Sequence, residues 1–67
     1  QELETFISRT LEKMPERRRE IFQMHRLEGK KYSEIAKIML LSVKTIEAEM
    51  TKALKTLRKE IEKYTHR

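Results

Sequence analysis

The side chains available for chemistry in this chain are of few types, and cations outnumber acids, 16 Lys and Arg against 11 Glu. Among the 67 residues there is no Asp and no Cys, and the two histidines, His25 and His66, lie far apart. No Ser/His/acid arrangement and no metal-ligand spacing can be assembled from what remains. An enzyme is therefore not expected, and neither is a metal, a cofactor or a small-molecule substrate. His25 reads first as an ordinary helix residue, with phosphate contact as the alternative, and His66 reads as part of a frayed terminus. The chemistry left over is that of lysine, arginine and hydroxyl groups, which suits phosphate oxygens. Lys30, Lys31 and Tyr32 stand just before one expected helix start, and Lys44, Thr45, Lys52 and Lys55 lie along another helix.

The distribution of charge narrows this. Charged residues make up 40% of the chain and the formal net charge is +5. That balance suits nucleic acid, an acidic protein surface or an anionic membrane without choosing among them. Residues 1–14 hold two basic and three acidic groups, and residues 15–31 hold six and three. Residues 32–50 hold two and three, and residues 51–67 hold six and two. The positive charge thus flanks the segment 32–50 rather than filling it. No apolar run nears the roughly 18 residues that a membrane span needs, and nothing resembles a signal peptide. Lack of Cys suits a reducing compartment, and a cytoplasmic location is the expectation. A chain of this length makes one small domain that buries only about 60% of its unfolded surface. It begins with Gln1 rather than Met, which suggests a domain from a longer protein.

Hydrophobic periodicity supplies the elements that must position those side chains, and it predicts an all-α domain of four helices. Leu3, Phe6, Ile7 and Leu11 recur at spacings of three and four, predicting a helix over 2–13. Pro15 interrupts it, pushes Met14 away from helical geometry and suits the first position of a second helix over 15–28. That helix presents Ile21, Phe22, Met24 and Leu27 inward and leaves Arg17, Arg18, Arg19, Gln23 and Arg26 free for solvent or a partner. Gly29, the only glycine, falls where a left-handed residue would close it. Ser33 is the expected N-cap of a third helix over 33–39, with Tyr32 packed over its first turn and Ile35, Ala36 and Met39 facing inward. Leu40 and Leu41 make the turn, and Ser42 is a second N-cap. The fourth helix, 43–63, carries a stripe of Ile46, Met50, Ala53/Leu54, Leu57, Ile61 and Tyr64. Small Ala36 lets this helix approach the third closely.

A short helix, a tight turn and a longer helix with a polar first face are the parts of a helix-turn-helix. In that motif the first helix crosses the DNA backbone and the second enters the major groove N-terminus first. Lys44, Thr45, Glu47, Ala48, Thr51 and Lys52 provide the polar start of the second helix, while basic side chains and helix N-termini would grip phosphates. An ordinary solvated face would have the same composition, so spacing alone leaves both readings open.

Four segments resemble the C-terminal, minus-35-binding region of bacterial sigma factors. They are Leu11-Glu-Lys-Met-Pro-Glu-Arg-Arg-Arg-Glu-Ile-Phe22, Leu27-Glu-Gly-Lys-Lys-Tyr-Ser-Glu-Ile-Ala36, Ser42-Val-Lys-Thr-Ile46 and Lys52-Ala-Leu-Lys-Thr-Leu-Arg-Lys-Glu60. The likeness is to the extracytoplasmic-function class, in the form met in Bacteroides-like bacteria, and it runs from about Glu2 to Ile61. It implies a domain that recognises the minus-35 promoter element in double-stranded DNA, contacts the β flap of the RNA polymerase core and has an anti-sigma factor as a further partner. Carried over by position, the base-reading face falls on Lys44, Glu47, Ala48, Thr51 and Lys52. The backbone contacts fall on His25, Lys30, Lys31, Tyr32, Ser33, Thr45 and Lys55.

Two departures stand out. The family's turn usually holds Gly where this chain has Leu40, and a bulky residue in a left-handed turn costs roughly 1 kcal/mol or more, so a distorted or differently shaped turn is expected. The family also often has basic residues where this chain has Glu47 and Glu49, and two acids near phosphates would weaken the grip. Two other readings stay open. LuxR-type response-regulator output domains share Ser-x-Lys-Thr at the start of the recognition helix but finish with a shorter helix. A protein-interaction module with little DNA binding of its own is suggested by the acidic pair and the long apolar stripe, although that stripe first serves a small core.

Overall fold

The longest helix, α4 (Val43–Thr65), is the element against which the other three pack. The computed structural model describes residues 2–65, and the side chains of residues 3–63. The expectations for the Tyr64 side chain and for His66 therefore lie outside the described residues. Before α4 come α1 (Glu2–Glu12), α2 (Glu16–Arg26) and α3 (Tyr32–Met39), each joined to the next by a short connection. Twenty-three residues at 1.5 Å rise extend about 34 Å, which accounts for most of the 41 Å long axis.

The core is drawn from all four helices. Ile21 of α2, Ile35 of α3 and Ile46 of α4 are completely buried, as is Ala53. Leu11, Met14, Phe22, Ala36, Met50 and Leu57 close around them, with Phe6, Ile7, Met24, Tyr32, Met39 and Leu41 half-buried at the edge. Thr10 is buried too, and its hydroxyl donates to the Phe6 carbonyl at 2.9 Å. That local bond removes the cost of burying the hydroxyl.

Helix existence and order follow the periodicity, and the boundaries differ for identifiable reasons. Pro15 is the N-cap of α2 rather than its first residue, with φ −56° and ψ 149°. Its extended ψ lets its carbonyl accept from Arg19 N–H at 3.0 Å. The helix ends at Arg26, two residues early, because Lys30 N–H reaches back to the Met24 carbonyl at 3.1 Å across Gly29 at φ +68°. Nothing lies within 4 Å of a Cβ added at Gly29, so its backbone conformation, not crowding, favours glycine. In α3 the expected cap at Ser33 is wrong. Lys31 is the N-cap, Ser33 sits inside the first turn, and Tyr32 begins the helix instead of preceding it. Glu34 decides this, since its carboxylate accepts the Lys31 backbone N–H at 2.8 Å, the return half of a capping box.

Four expected core positions are exposed: Leu3, Leu27, Leu54 and Ile61 are 61, 66, 48 and 46% accessible. Leu27 lies past the end of α2, and α4 is covered on one side, so Leu54 and Ile61 fall off the covered stripe. The turn at Leu40 is not distorted. Leu40 takes φ 59° and ψ 44° with its side chain 89% exposed. Leu41 N–H donates to the Ala36 carbonyl at 2.9 Å and Leu40 N–H to the Lys37 carbonyl at 3.3 Å. That bond pattern is the Schellman closure usually built with glycine.

Candidate nucleic-acid interface

The start of α4 is organised by Ser42. Its hydroxyl accepts the Thr45 N–H at 3.1 Å and pairs with the Thr45 hydroxyl at 2.9 Å. The first N–H groups of a helix have no acceptor within it, so this cap leaves those of Val43 and Lys44 for another acceptor such as a phosphate. From there Lys44, Glu47, Ala48, Thr51 and Lys52 are all exposed, and Lys55 continues the row. Their spacing of three and four puts them on one face. Ile46, Met50 and Ala53 are buried on the other. Thr45 differs from the expected backbone contacts, being half-buried with its hydroxyl engaged by the cap.

A second group gathers at the loop before α3. His25 Nδ1 lies 3.0 Å from the Lys30 carbonyl. A carbonyl only accepts, so Nδ1 donates and Nε2 is left for another partner. The His25 and Tyr32 rings meet edge-on, with centroids 5.1 Å apart, and this contact ties the end of α2 to the start of α3. Lys30 also pairs with Glu28 at 3.4 Å, an exposed bond that a phosphate could displace. Lys31 and Ser33 are exposed beside the first turn of α3.

Because an acid is not expected on an inner face, residue type and not spacing hid the role of Glu49. It does not face the polar side of α4 but is only 8% exposed, on the inner face between Ile46 and Ala53. Arg18 Nε donates to Oε1 at 2.8 Å and Arg17 Nη2 to Oε2 at 2.9 Å. These charge-assisted bonds hold the Glu49 carboxyl below its ordinary range, against the opposing pull of burial. Arg17 and Arg18 are therefore not free for a partner, and of the expected acidic pair only Glu47 faces outward. The signal was available, since 46, 49, 50, 53 and 57 continue a single helical stripe. With Glu49 turned inward, segment 32–50 presents two basic and two acidic groups, Lys37 and Lys44 against Glu34 and Glu47.

A short helix, a left-handed turn and a capped helix with a polar outer face define a helix-turn-helix DNA-binding domain. The family model described as "Sigma-70, region 4" matches residues 7–57, which span the core of all four helices, and the chain belongs to that family. It is a DNA-binding sigma-factor domain of transcription initiation, in a family of promoter-DNA and RNA polymerase partners that is not one of enzymes. This membership goes against the LuxR-type alternative. Comparison with curated proteins and with solved structures gives no match. No helix among the described residues is long and apolar enough to cross a membrane.

Proposed function

We propose that this domain reads the minus-35 promoter element with the first two turns of α4 in the major groove, as the C-terminal region of a longer sigma factor in RNA polymerase holoenzyme. The carrying observation is the exposed row Lys44, Glu47, Ala48, Thr51 and Lys52 behind a capped N-terminus. Lysines can donate to guanine acceptors, Glu47 can accept from a cytosine amino group, and Ala48 and the Thr51 methyl suit a thymine methyl. His25, Lys30, Lys31, Tyr32, Ser33, Thr45 and Lys55 are assigned to the phosphate backbone, with Thr45 contributing chiefly through the cap it shares with Ser42. Residues 1–67 act as a single domain in this reading.

The finer assignments rest on sequence resemblance: the extracytoplasmic-function class in its Bacteroides-like form, contact with the β flap, an anti-sigma partner and a cytoplasmic place of work. The test begins with the duplex that the wild-type chain enriches from a randomised pool. Lys52→Glu should weaken binding to both that duplex and a shuffled one, and more to the enriched duplex, where Lys52 also reads a base. Glu47→Ala should mainly change which base is preferred at one position. Failure to enrich any duplex, or an enriched sequence unmoved by substitutions along this row, contradicts the reading.

A further inference from the structure

We propose that Glu49 is a positioning and specificity-determining residue: the Arg17–Glu49–Arg18 clamp sets the rotation of the recognition face and withholds two arginines from indiscriminate phosphate binding. This rests on the reading of α4 as the DNA-reading helix. Glu49 lies in the same two turns as Glu47, Ala48, Thr51 and Lys52, directly behind the outward row. Each of its carboxylate oxygens takes a different arginine, at 2.8 and 2.9 Å. The two arginines are adjacent in the first turn of α2, so α4 cannot rotate without breaking at least one bond. On a helix of about 5–6 Å radius, a rotation of about 20° carries a side-chain tip about 2 Å. That is enough to lose a hydrogen bond to a base edge.

The clamp also acts on charge. Arg17 is about half exposed and Arg18 about one-fifth exposed in side chain, so both lie near the surface and are restrained by one buried acid. Released, they would add sequence-independent attraction to any nucleic acid. Glu49 thus works on both sides of the ratio between cognate and random binding. It favours the first by orientation and suppresses the second by occupying the arginines.

The test uses Glu49→Gln, which keeps shape and removes the charge. Affinities of the 67-residue chain for its enriched duplex and for a shuffled duplex are measured against salt, below the melting temperature of each variant. We expect shuffled-duplex binding to tighten and its log–log salt slope to steepen by about 1 to 2. The cognate-to-shuffled ratio should fall about tenfold. If Glu49→Gln melts too low to assay, Arg17→Gln breaks one arm through a side chain that is about half exposed; the ratio should fall without any steepening of the slope. A folded variant with the wild-type ratio and slope would make Glu49 a brace only and overturn the inference. A wild-type chain that does not separate the two duplexes would instead overturn the proposed function, and this inference with it.

Discussion

Leu40 and Glu49 are the two residues at which this chain departs from what its own neighbourhood favours. Leu40 occupies a left-handed position with its side chain in water, so it carries the steric cost of a Cβ there without a packing return. Leu40→Gly should stabilise the domain by about 1 kcal/mol. For a domain of this size that corresponds to a rise of about 4–8 °C in melting temperature, and a melt showing a decrease would mean the Leu40 side chain contributes something its exposure hides. Glu49 makes stability depend on pH. Its carboxyl titrates below its ordinary range when folded, so the clamp is fully stabilising above the unfolded-state value. That contribution is lost as pH falls through the folded one. Urea midpoints of wild type and Glu49→Gln should therefore differ at pH 7 and converge progressively below about pH 5. A difference that stays constant down to pH 3 would contradict a charged clamp. The exposure of Leu40 and the pairing of Glu49 are long-range outcomes, but the left-handed need at Gly29 was legible, because a lone glycine past an apolar run has one common use.

At the scale of elements, the four helices were legible from apolar spacing, and their ends were less so. Competition among local hydrogen bonds decided those ends. Glu34 took the Lys31 N–H and moved the start of α3 two residues ahead of where Ser33 would have put it. The cap at Ser42 was read correctly, because the residue after it, Val43, has no side-chain acceptor to compete as Glu34 does after Ser33. Ser42→Ala should cost about 1 kcal/mol, seen as a lower denaturation midpoint, and should weaken DNA binding more than that loss of stability explains if the cap presents the start of α4 to phosphate. Burial along α4 was over-read at Leu54 and Ile61. A period of three and four marks a broad apolar face, but three short helices cover only part of it. The candidate site on the outer face of α4 was legible from the same period, because its members are the residues the stripe leaves out.

For the molecule as a whole, composition gave the net positive charge while the fold determines where it acts. Cations of the α2–α3 loop and of α4 flank a helix-turn-helix whose own exposed charges nearly cancel once Glu49 is turned inward. Attraction to DNA must then come from the flanks, and base choice from the row on α4. The salt dependence of duplex binding by the wild-type chain tests this most directly. With Lys30, Lys31 and Lys55 on phosphates, and Lys44 or Lys52 near them, the slope of log affinity against log salt should be about −3 or steeper, and Lys31→Ala should flatten it by about 1. A flat dependence on salt would contradict the claim that this surface binds DNA.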